Sequence, residues 1–152
     1  MRLIAIVAIA AGLGLGLTAC GDKPLAANCD GTGACKVDVK VTSCTSTATS
    51  LTVVPDPLPV TKANNIFWDL HHAPSDDFRF RDVDGVILKT PDDDFDLPEA
   101  QANNKKFKLH DKNSKAKPGE ELRYPYSINL QKKDAGNWVD CAKFDPTIVN
   151  KG

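Results

Sequence analysis

Five cysteines, three histidines and a run of closely spaced aspartates are the residues of this 152-residue chain whose types could do chemistry. Cys20 follows Leu17-Thr18-Ala19 and stands apart from Cys29, Cys35, Cys44 and Cys141. Four cysteines permit three pairings, and an even set in an oxidising compartment reads as two disulfides. Asp30-Gly31-Thr32-Gly33-Ala34 is a flexible connection able to return Cys29 to Cys35. That pairing is favoured, with Cys44 and Cys141 as a long-range staple. A thiolate metal site is the competing use, but no Cys-x-x-Cys pair occurs and no histidine lies near these cysteines in sequence.

His71, His72 and His110 invite a copper or zinc reading. A blue-copper centre needs two histidines, a cysteine thiolate and usually a weak axial methionine. Here Cys141 is followed by Ala142-Lys143-Phe144, and the one methionine is Met1. His71 and His72, with Asp76 or Asp77, are the weaker metal candidates, because adjacent residues of a strand point to opposite faces. They read more simply as an exposed strand end, so no metal and no cofactor are expected.

Asp82-Val83-Asp84-Gly85 brushes against a calcium loop, yet placing Gly85 at the obligatory glycine puts Phe80 at the first ligand position and Pro91 at the twelfth. Asp92, Asp93, Asp94 and Asp96 could hold Ca²⁺, but aspartates between two prolines read first as solvated surface. Ser43, Ser46, Ser50 and Ser127 lack the Gly-x-Ser-x-Gly setting of a strained nucleophile. Of the aromatic residues, Tyr124, Tyr126, Trp138 and Phe144 could form a ligand platform if they faced outward, but Tyr124 and Tyr126 share an apolar face with Ile128 and read as core. No catalytic residue is assigned, and the domain reads as no enzyme.

The elements that carry these residues have the period of strands. Val37, Val39 and Val41 alternate with charged residues, and Ile66, Trp68 and Leu70 share one face, with Trp68 as the expected core centre. Residues 78 to 89 read as a hairpin turning at Asp84-Gly85. Pro91 to Pro98 reads as an acidic loop, and Pro98 to Lys106 offers the one modest helical turn. Leu122, Tyr124, Tyr126, Ile128 and Leu130 alternate, and Asp134-Ala135-Gly136-Asn137 turns the chain back toward Trp138 to Cys141. Pro55, Pro57 and Pro59 suit an edge or a crossing. The expected fold is all-β, an antiparallel two-sheet sandwich.

Charged residues at 26% and hydrophobic residues at 41% argue against disorder, and a net charge of −1 offers no broad basic face for nucleic acid. Met1-Arg2 and the apolar run Leu3 to Leu17 have the layout of an export signal, too short for a comfortable spanning helix and carrying Gly12, Gly14 and Gly16. Leu17-Thr18-Ala19-Cys20 resembles the lipobox of bacterial lipoproteins. The resemblance implies cleavage before Cys20, a diacylglycerol thioether on its sulfur and usually a third acyl chain, palmitate being typical of such modification. Residues 1–19 are then the signal, 20–35 a lipidated tether, and 36–152 the β-sandwich domain. For a Gram-negative lipoprotein the resemblance implies the periplasmic face of the outer membrane, because Gly21 and not Asp22 directly follows the cysteine.

Ile66-Phe67-Trp68-Asp69-Leu70, Tyr124-Pro125-Tyr126-Ser127-Ile128 and Asp145-Pro146-Thr147-Ile148-Val149-Asn150 loosely resemble strands of small exported immunoglobulin-like or cupredoxin-like modules. That likeness implies a fold and no activity. The expected role is a membrane-anchored, non-enzymatic binding or structural domain of the cell envelope, its partners the bilayer and another envelope protein. The alternative is a periplasmic metal-binding protein or small hydrolase on the same sandwich.

Overall fold

The computed structural model describes residues 29–71 and 77–152. In chain order the strands are β1 (Cys35–Cys44), β2 (Thr49–Val54), β3 (Leu58–Val60), β4 (Asn64–His71), β5 (Phe78–Phe80), β6 (Val86–Leu88), β7 (Glu99–Gln101), β8 (Lys106–Asp111), β9 (Glu121–Ile128), β10 (Leu130–Asp134), β11 (Asn137–Asp140) and β12 (Thr147–Lys151). No helix occurs among the described residues, so the chain is all-β.

One sheet has the order β2-β1-β4-β8-β7. Its inner face is written in the alternation of β1, where Val37, Val39 and Val41 are buried and Lys36, Asp38 and Lys40 are exposed. Ile66 and Trp68 of β4 and Phe107 and Leu109 of β8 continue that face.

The other strands form two hydrogen-bonded sets, β11-β10-β5 and β3-β12-β9-β6, which share backbone. Residues 121–134 run against 137–151 almost without a break. Between the paired ends, Cys141 N–H donates to the Leu130 carbonyl at 2.9 Å, Ile128 N–H to Phe144 at 2.7 Å and Tyr126 N–H to Pro146 at 3.0 Å. Ala135 and Gly136 turn this ribbon with φ of 46° and 86°, the left-handed pair that matches the twist of a two-residue hairpin. The sheets close on a shared core that is compatible with a β-sandwich. Trp68 Nε1–H donates to the Tyr126 hydroxyl at 3.1 Å, their rings meet edge to face, and Phe80 meets Phe107 in the same way. Trp68 is fully buried, as expected of the core centre.

Three local expectations are corrected. The pairings are not all antiparallel, because β1 runs parallel to β4 and β3 parallel to β12. Strands β1 and β4 are joined through β2 and β3, a connection long enough to return the chain in the same direction. Residues 78–89 do not form a hairpin: β5 pairs with β10, and β6 with β9. They are one ribbon interrupted by residues 81–85, which bulge out opposite the single residue Asn129. Asn129 holds that excursion by accepting from Arg81 N–H and donating to the Gly85 and Asp84 carbonyls. The Pro98 to Lys106 segment is strand β7 followed by Ala102, Asn103 and Asn104, all at positive φ. Asn tolerates that left-handed region, where a right-handed helical turn has no place.

Candidate functional site

Cys29 is bonded to Cys35 and Cys44 to Cys141, so none of these sulfurs is free to ligate. Cys20 and His72 lie outside the described residues, as does Asp76. His71 is exposed, its Nε2 3.1 Å from Asp38 on neighbouring β1. His110 reaches Asn65 at the opposite end of β4. Six residues of strand, about 20 Å, therefore separate the two histidines along the sheet. Among the described residues no group of three or more His, Cys, Asp or Glu side chains is placed to hold a metal ion.

Ser127 donates to Asp145 at 2.7 Å, and Lys89 closes on the other carboxylate oxygen at 2.6 Å. The Lys89 ammonium holds the Asp145 carboxyl below its usual range, with Ser127 adding to the effect. A serine that donates to an ionised carboxylate already paired to lysine makes a structural bond. Tyr126 is core, and burial pushes its phenol up. Tyr124 packs edge to face on Phe95, while Trp138 is covered by the Arg79 guanidinium at 4.3 Å. Phe144 is partly buried against the core, so the four aromatic residues form no common platform.

The aspartate run is divided. Asp92 and Asp93 pair with Lys115, Asp96 pairs with Lys112, and Asp94 is 1% exposed. The reading of all four as solvated surface is thus wrong for Asp94. Lys115 also holds the Asp92 carboxyl low, and Asp92 and Asp93 in turn raise the Lys115 ammonium.

A cleft of about 420 Å³ runs along β6, walled by the 81–85 excursion and the 91–98 loop. Its lining is mainly apolar: Val83, Val86, Ile87, Leu88, Phe95 and Leu97 contribute, with Asp84, Asp92 and Asp96 among them. Val83 is 86% exposed, Leu97 87% and Ile87 44%, three of the four large apolar side chains that stand in solvent among the described residues. The backbone adds a second feature. Gly85 accepts from Asn129 and Lys89 donates to Pro125, with Ile87 opposite Ser127 between them, so residues 85, 87 and 89 bond toward β9. By the alternation of an antiparallel ladder, the N–H and C=O of Val86 and Leu88 face the other way, along the free edge of β6.

An apolar cleft beside an open strand edge can take an extended segment, by backbone pairing and by burial of its side chains. Sequence reading passed over this site because Phe95 and Leu97 sit inside an acidic run and Val83 inside a turn. The available signal was a set of large apolar residues in segments too polar to need them. No protein-family model matches the chain, and comparison with curated proteins finds no relative.

Proposed function

We propose that this protein is a lipid-anchored cell-envelope lipoprotein whose immunoglobulin-like or cupredoxin-like β-sandwich acts by binding, without catalysis, to an extended segment of another envelope protein. Signal residues 1–19 are removed, Cys20 carries the acyl chains, and the domain stands at the periplasmic face of the outer membrane. Two or more chains give stable anchoring where one is marginal. Anchoring confines the search for a partner to a surface, which suits recognition by a short strand edge.

The observation that carries this reading is the exposed apolar cleft along the unpaired edge of β6. Scattered apolar residues on a surface are ordinary, whereas a contiguous set in a concavity marks an interaction site. The test places a photo-crosslinking amino acid at Leu97 in the full-length protein in intact cells, with Lys36 on the exposed face of β1 as control. One discrete adduct from position 97, lost when Ile87→Lys is added, is expected. Equal labelling from both positions overturns the binding reading. Cys20→Ser is expected to move the protein from the membrane to the soluble fraction, and its retention overturns the anchor.

A further inference from the structure

Beneath the cleft wall lies a group of carboxylates with too little positive charge around it. The 91–98 loop carries Asp92, Asp93, Asp94 and Asp96, and Asp111 ends β8; the Lys112 and Lys115 ammonium groups pair with Asp96, Asp92 and Asp93. Asp94 is 1% exposed and Asp111 is fully buried, and neither has a basic partner among the described residues. Asn150, also fully buried, lies between them, its Nδ2 donating to Asp111 Oδ1 at 2.9 Å and reaching Asp94 Oδ2 at 3.4 Å. Ser114 donates twice to Asp94, and Asn113 N–H donates to Asp111.

When those bonds are counted, three buried oxygens still lack a donor: Asp111 Oδ2, Asn113 Oδ1 and Asn150 Oδ1. The buried Asn64 Nδ2, on the strand opposite Asp111, is the one donor nearby without a partner, and one donor cannot serve three acceptors. A buried carboxylate without a paired cation is costly, and here two of them converge on one amide, that of Asn150.

We propose that Asp94, Asp111, Asn113 and Asn150 form a binding site for one Ca²⁺ ion. Every available donor atom is oxygen, from two carboxylates and two amides, which is the chemistry of a hard cation. Mg²⁺ keeps several waters and demands an octahedron, whereas Ca²⁺ accepts irregular protein oxygens in a crowded site. Asn150 turns its amide to present Oδ1, replacing a donor with a ligand between the carboxylates. The ion ties the 91–98 loop to β8 and β12.

The experiment uses the mature chain stripped with chelator, and follows its melting temperature and binding heat as Ca²⁺ is added. One ion per chain is expected, with a dissociation constant of about 10⁻⁴–10⁻³ M, the range of exported modules. The response to Mg²⁺ is expected to be at least about tenfold weaker. Asp111→Asn should abolish the Ca²⁺ response. Asn113→Asp, at a half-buried position where Asp tolerates the positive φ, should tighten binding by about tenfold through added ligand charge. No response up to about 10 mM Ca²⁺, an equal response to Mg²⁺, or an affinity unchanged by Asn113→Asp overturns the site.

Discussion

Asp111 illustrates how one side chain converts burial into a pH dependence. Its folded-state carboxyl titrates near 6 against an ordinary 3.8, with desolvation the largest cause and the Asp94 and Asp92 charges adding to it. The folded chain therefore holds this proton to higher pH than the unfolded chain does. The associated stability is fully present below pH 3.8 and is lost as pH rises through about 6. In chelator, the urea midpoint should fall between about pH 4 and 6.5, by of order 3 kcal/mol in unfolding free energy, and level off above. Asp111→Asn should flatten that slope. Asp92 and Asp145, held low by lysines, act in the opposite direction and at lower pH, where stability is lost as pH falls. The sequence placed Asp111 at the start of a polar stretch, where nothing distinguishes a buried carboxyl from a solvated one. Its side chain is met by Asn150 and Asn113, which are brought in by β12 and the turn after β8.

Among the elements, the strands with alternating residues were the most legible. Valines of β1 and the Ile66-Trp68-Leu70 face of β4 were readable because each strand has one wet and one dry side. The ribbon of β5 and β6 was not, since Asp84-Gly85 has the composition of a hairpin turn while the pairing is decided by distant β9 and β10. Gly85 serves tight packing in place of a turn: a Cβ there would lie 2.6 Å from the Arg81 carbonyl, 2.6 Å from the Phe107 ring and 2.7 Å from Phe80. Gly85→Ala should therefore destabilise the domain by about 1–3 kcal/mol, the usual cost of overpacking a core. A fall in denaturation midpoint with unchanged slope would report it. The cleft was hidden for the same reason as the ribbon, because its walls are defined by which strands the excursion lies between.

At the scale of the whole molecule, the two cross-links act over very different spans. Cys44 ends β1 and Cys141 follows β11, so their bond joins the five-stranded sheet to the opposing ribbon across a separation of 97 residues. Cys29 and Cys35 are 6 apart. Chain-entropy reasoning assigns roughly 4.7 kcal/mol to the first and roughly 2 kcal/mol to the second. Replacing Cys44 and Cys141 by serine should lower unfolding free energy by about twice as much as replacing Cys29 and Cys35, measured by urea denaturation. All-β class and disulfide use were legible because composition and cysteine count constrain them. Parallel pairing was not, because it depends on the route of the chain between strands.

Strand β12 comes after every other strand in the chain yet sits in the interior of its sheet, with β3 on one side and β9 on the other. Leu58 and Val60 of β3 have no other backbone neighbour there, so they wait unpaired until residues 147–151 arrive. A chain whose last residues are not yet free cannot close this sheet. The order of strands itself keeps this sheet open until the whole chain has been released.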